Sequence, residues 1–157
     1  MKPRIQLPRV SPRAFQAMMG LQAYVNDSGL PHGLLALVKM RASQINGCAY
    51  CLDMHSKDAR VAGETEQRLY LLDAWREAPQ YTPAERAALE WTEALTRVAD
   101  GHVPDAAYDE VRAHFSEQEV VDLSLAVVAI NGWNRLSIAF RAQAGSYQPA
   151  QPATSKA

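Results

Sequence analysis

Ser43-Gln44-Ile45-Asn46-Gly47-Cys48-Ala49-Tyr50-Cys51-Leu52-Asp53-Met54-His55 holds a helix end, a helix start and the chain's only two cysteines. Asn46-Gly47 ends or kinks the helix before it, because glycine tolerates the left-handed conformation that follows a last helical turn. A new helix is expected from Cys48 towards Val61, ending near Gly63. At about 100° per residue, Cys51 lies about 60° and His55 about 20° from Cys48, so all three share a face. An i, i+3 pair has Cα atoms about 5 Å apart, which suits a disulfide. The first turn of a helix has unpaired N–H groups and the positive end of the dipole, and both favour a thiolate. His55 is one turn beyond Cys51, within reach for proton exchange.

Helix signals spread in both directions. Upstream, Ser11-Pro12 reads as a cap followed by proline at the first helical position, with a stop at Asn26-Asp27-Ser28-Gly29. Pro31 opens a helix whose Leu34, Leu35, Leu37, Val38 and Met40 form a broad buried face. Downstream, Glu64 to Trp75 is a short helix with Leu69, Leu72 and Trp75 turned inwards. Thr82-Pro83-Ala84-Glu85 and Ser116-Glu117-Gln118-Glu119 are capping boxes. The first precedes Ala88, Trp91 and Leu95 at helical spacing, and Asp100-Gly101 closes that helix. Pro104 opens another, through Tyr108 and Val111 to Phe115. The second box starts the longest helix, to about Ala142, apolar on nearly all sides from Val120 to Ile130 and so expected at the centre. Gly132 marks a kink or a close contact in it. No segment alternates with period two, so the expected fold is an all-α, single-domain helical bundle over residues 11–143. An extension of residues 1–10 precedes it, and a mobile tail of residues 144–157 follows.

At 157 residues the chain fits one domain, and 48% apolar with 21% charged residues is the composition of an ordinary globular protein. A net charge of −1 and the lack of a basic stripe argue against a nucleic-acid partner. Met1–Val10 lacks the apolar core of a secretory signal. The Val120–Ile130 run contains Asp122 and is too short to span a bilayer, so no membrane partner is expected and the default compartment is the cytoplasm. There a close Cys pair is catalytic or metal-binding more often than structural.

From spacing alone, three readings of Cys48, Cys51 and His55 stand. In the first the pair is a redox catalyst, one thiolate attacking an oxidant and the other resolving the product. In the second two thiols and an imidazole ligate zinc, completed by His32, His102 or His114. In the third the cysteines are small buried hydrophobes.

In its wider context, the motif resembles the signature of alkylhydroperoxidase D-like proteins, a branch of the carboxymuconolactone decarboxylase superfamily. The likeness extends to Gly63-Glu64, Leu72–Arg76, Glu85–Thr92 and Asn131–Arg135, covering about residues 15 to 142. It implies an all-helical fold, trimers or hexamers, and reduction of hydroperoxides without metal or cofactor. It also implies Cys51 as peroxidatic cysteine, Cys48 as resolving cysteine and His55 as proton relay, with an external dihydrolipoyl or thioredoxin-like thiol returning the electrons. The decarboxylase branch lacks the Cys pair, so lactone decarboxylation does not carry over. A thiol–disulfide oxidoreductase or a non-enzymatic redox sensor would use the same residues. One departure stands out: the family's relay glutamate falls at Ala36, and Glu90 is the candidate to replace it. Trp91 and Trp133 read as core, Tyr50 as facing the pocket mouth, and Asp53–Lys57 as a solvated pair. Asn131, Asn134 and Arg135 are expected to line the pocket or to bond across a subunit interface.

Overall fold

The computed structural model describes residues 2–150. Among them there are helices and no strands. The order is α1 (Leu7–Val10), α2 (Pro12–Asp27), α3 (His32–Asn46), α4 (Ala49–Val61), α5 (Glu66–Leu71), a 3-10 turn (Leu72–Ala74), α6 (Pro83–Thr96), α7 (Val98–Gly101), α8 (Asp105–His114) and α9 (Glu117–Phe140). Both capping boxes form. Thr82 and Ser116 accept from the N–H groups of Glu85 and Glu119, whose carboxylates accept from the cap N–H groups in return.

Helix α3 is the axis of the molecule, because its apolar residues face two directions. Leu34, Leu35 and Val38 join Val25, Ala88, Trp91, Leu123 and Val127 in one core between α2, α6, α8 and α9. Leu37 and Met40 join Ala59, Leu69, Leu72, Trp75 and Leu89 in a second core between α4, α5 and α6. Helix α9 was the element expected at the centre, yet it is buried on one side only. Val121 and Val128 on its outer face are 53% and 55% exposed. With 24 residues and a mean hydropathy of 1.3 over its most apolar window, α9 is long and apolar enough to cross a bilayer. In this fold α2, α3 and α6 pack along it. Gly132 marks a close approach, since a Cβ there would meet the Met18 Cε at 3.0 Å.

A buried carboxylate ties α3 to the second half of the chain. Glu93 on α6 accepts from Arg41 Nε of α3 at 2.7 Å, from Trp75 Nε1 at 2.7 Å and from Arg76 Nη1 at 2.8 Å. Arg41 also pairs with Asp73. Burial alone would push the Glu93 carboxyl up, but the hydrogen bonds from Trp75, Arg76 and Arg41 outweigh it and hold it below its ordinary range. Both ends of the described stretch are tied down as well. Arg4 donates to the Phe140 and Ala139 carbonyls. The stretch expected to open a mobile tail is anchored on α4: Gly145 N–H donates to Asp53 at 2.9 Å, and the Tyr147 hydroxyl donates to Asp58 at 2.7 Å. The rest of that expected tail, residues 151–157, lies outside the described residues.

Removing the Glu93 carboxylate leaves Arg41 buried without its main partner. Glu93→Ala should therefore lower the unfolding free energy by about 3–5 kcal/mol, and Glu93→Gln by less, as read from urea midpoints. A loss below about 1 kcal/mol would show that the network is ornamental to stability.

Candidate functional site

The backbone between α3 and α4 fixes the cysteines. Gly47 takes φ +66°, and the Gly47 and Cys48 N–H groups donate to the Gln44 and Ser43 carbonyls, reversing the chain within two residues. Three asparagine amides, of which Asn134 is fully buried, clamp this corner to α9. Asn46 Nδ2 donates to Asn131 Oδ1 at 3.0 Å and to Asn134 Oδ1 at 2.9 Å, while Asn134 Nδ2 donates to Ser43 Oγ at 3.0 Å. Asn131 also donates to Thr96 Oγ1, and Arg135 donates back to Asn131. Asn134 and Asn131 thus hold the corner from within the subunit, while Asn131 and Arg135 also line a hollow on the outer side of α9 beside Val128.

Cys48 is the cap of α4, one residue before the helix proper. Its sulfur accepts from the Cys51 N–H at 3.4 Å, and the two cysteines form a disulfide with Cα atoms 5.3 Å apart. Each cysteine is only 1% exposed. They face different spaces. Cys51 lines a cavity of about 550 Å³ with Tyr50, Met54 and His55 of α4, Leu35, Ala36 and Lys39 of α3, Phe15 and Met19 of α2, and Trp133 of α9. Cys48 lines another of about 560 Å³, walled by Ser137 and Ile138 and by Arg141 to Ala144. Trp91 is core, its indole N–H bonded to Ser124. Trp133 instead walls the cavity, edge-on to Phe15 at 5.9 Å between ring centres. Asp53 and Lys57 pair at 2.8 Å as expected, and Asp53 also holds Gly145.

His55 is pushed down to about 4, first by burial and then by the Lys39 charge. It is therefore a neutral imidazole at neutral pH, free to accept a proton in passing rather than to stand as a resting imidazolium. Lys39 is itself lowered by burial, with Asp58 acting in the opposite sense. Of the histidines suggested as fourth zinc ligands, His32 lines the Cys51 cavity and His114 lies against Glu110. Among the described residues no three His, Cys, Asp or Glu side chains form a group that could hold a metal ion.

Glu90 is not brought to this site. Its carboxylate pairs with Arg76, its side chain is 39% exposed, and it is absent from both cavity walls. The inward acid of α6 is Glu93, three residues on, which follows buried Leu89 by one turn and precedes buried Thr96 by another. Glu93 and Lys39 do not stand out in the sequence as site residues. Each follows a buried residue by one turn (Leu89 and Leu35), and that spacing was the available signal.

Comparison with known proteins agrees with this fold. The carboxymuconolactone decarboxylase family profile matches residues 12–94. The Bacillus subtilis protein YdfG is 44% identical over 146 residues, covering 93% of this chain and 99% of YdfG. The Escherichia coli protein YnjA is 35% identical over 106 residues, covering 67% of this chain and 55% of YnjA. Among solved structures, ATU0492 of Agrobacterium tumefaciens, for which an antioxidant defence role as AhpD has been suggested, superposes with a TM-score of 0.90. It is 48% identical and is covered completely by 93% of this chain. The debrominase Bmp8 has a TM-score of 0.78 at 23% identity, covering 86% of this chain and 73% of Bmp8, which shows a shared fold. The chain belongs to the carboxymuconolactone decarboxylase family. Within it, the chain is an alkylhydroperoxidase D-like member carrying the Cys pair.

The folded-state pKa of His55, about 4, lies below the 6.5 of an unfolded chain. The unfolded state then binds the extra proton between these values, so His55 contributes stability above pH 6.5 that is lost as pH falls through 4. Urea midpoints from pH 4 to pH 7 should rise for the wild type. The His55→Gln variant should lack a part of that rise worth up to about 3 kcal/mol. Parallel curves for the two proteins would show that His55 is solvated.

Proposed function

We propose that this protein is a thiol-dependent peroxidase that reduces hydroperoxides through Cys51 and Cys48. The single observation that carries the reading is the placement of one redox disulfide, with Cys51 and a neutral His55 in the same cavity wall. In the reduced state His55 accepts the Cys51 proton. The thiolate attacks the terminal peroxide oxygen, the O–O bond breaks, and Cys51 becomes a sulfenic acid. The departing alkoxide takes the proton from His55 and leaves as an alcohol. Cys48 then condenses with the sulfenic acid, forming the disulfide and releasing water. Two thiols of an external donor, dihydrolipoyl or thioredoxin-like, reduce the disulfide and become a disulfide themselves. The reducing cytoplasm supplies such thiols, and this is the compartment the reading implies.

The test is turnover of cumene hydroperoxide or hydrogen peroxide with dithiothreitol or dihydrolipoamide. Cys51→Ser should lower kcat/KM by about a hundredfold or more. Cys48→Ser should complete one turnover and leave a sulfenic acid at Cys51 that dimedone traps. Glu90→Gln should stay within about twofold of wild type, because that carboxylate serves Arg76. Stoichiometric oxidation without turnover would point to a redox sensor, and steady turnover of disulfides alone to a thiol–disulfide oxidoreductase.

We also propose a closed homo-oligomer, a trimer or hexamer, built on the outer face of α9. Val128 lies there beside Leu95, Val98 and Gly132, and Val121 is exposed one helical repeat earlier. Light scattering at micromolar concentration should give a multiple of the chain mass, and Val128→Glu should reduce it. A wild-type monomer would refute the proposal.

A further inference from the structure

We propose that the Cys51 cavity is a site for amphipathic organic acids, and that its preferred substrates are hydroperoxides bearing a carboxylate that pairs with Lys39. The substrate half of this statement rests on the peroxidase reading; the anion site does not.

The cavity walls are apolar: Phe15, Met19, Leu35, Met54 and Trp133 surround the approach to Cys51. Such a surface binds the hydrocarbon body of a ligand and offers little to hydrogen peroxide itself. Lys39 supplies a charge in these surroundings. It is half-buried, and among the described residues its ammonium makes no ion pair and no hydrogen bond. Ala36, one turn before it on the same wall, offers no counter-charge. Asp58 is the acid that faces it, but lies beyond ion-pair distance and already accepts from the Tyr147 hydroxyl. The other titratable groups in the wall are His32, His55, Tyr50 and Cys51, and burial keeps His55 uncharged at neutral pH. Asp58 lines the same, mostly apolar cavity without reaching ion-pair distance, so the Lys39 charge is only partly offset, and an incoming carboxylate supplies the direct contact. Lysine meets a carboxylate as a compact point charge. A molecule whose acid head sits on Lys39 lays its apolar body along the same wall that presents Cys51.

Two measurements separate this site from the chemistry. Titration calorimetry of the disulfide form should show decanoate binding, with methyl decanoate at least about tenfold weaker. Lys39→Met should lose that preference and Lys39→Arg keep most of it, with unchanged circular dichroism. In turnover with dithiothreitol, the wild type should prefer linoleic acid hydroperoxide over its methyl ester by about tenfold in kcat/KM, mainly through KM. Lys39→Met should bring that ratio to about one. Equal binding of decanoate and its ester by the wild type overturns the proposal. So does a Lys39→Met variant that slows acid and ester alike, which would make Lys39 a partner of the Cys51 thiolate instead. Lys39-dependent decanoate binding without any hydroperoxide turnover would leave the anion site standing and remove the peroxidase reading.

Discussion

The buried Glu93 carboxylate is the constraint on which the rest of the structure depends. It draws in a guanidinium from α3, an indole N–H just past the 3-10 turn and a second guanidinium from the next residue. A carboxylate in an apolar interior is tolerated only when its lone pairs are engaged. Satisfying Glu93 therefore fixes the distance and rotation of α3 against α6. Helix α3 divides the two apolar cores, carries the cavity wall at Ala36 and Lys39, and delivers the chain to Gly47 and Cys48. A shift of α3 would move the cysteines with it. The polar interior of this protein acts as a jig, and the amides of Asn46, Asn131 and Asn134 lock its other end.

The cap at Cys48 divides labour between the two sulfurs. Its sulfur takes the Cys51 N–H and the positive end of α4, which favours a thiolate at Cys48 once the disulfide opens. Cys51 lacks that cap bond as acceptor but faces the cavity, where a substrate can approach. Cap and cavity are thus given to different residues; the proposed peroxidase would use the cavity-facing Cys51 for attack and the capped Cys48 for resolution.

Much of this was legible in the sequence, because its signals are local. Gly47 at positive φ, two capping boxes and prolines at first helical positions mark helix ends independently of tertiary packing. The Cys48, Cys51 and His55 spacing follows from helical period alone. The failures concern what local pattern cannot encode. Glu90 and Glu93 are chemically identical and three residues apart; spacing from Leu89 puts Glu93 on the inner face, but that it meets Arg41 depends on the placement of another helix. Helix α9 looked central because its composition is apolar all round, yet neighbours cover one side. Periodicity reports which residues avoid water, but not whether the covering surface comes from the same chain.

The position of Ala36 changes the electrostatics of the site in kind. An acid there would offset Lys39 and hand protons to His55; alanine does neither. His55, depressed to about 4, has little power to hold a proton taken from a thiol. Complete transfer to it is uphill, so on the peroxidase reading the proton rests on His55 only in passing, while the Cys51 sulfur attacks the peroxide oxygen. Lys39, left without an acid at position 36, holds the anionic head of the proposed substrate, and the thiol chemistry stays with Cys51 and His55. His55 thus takes the Cys51 proton only as the O–O bond breaks and passes that same proton to the departing alkoxide, so no charge rests on the imidazole.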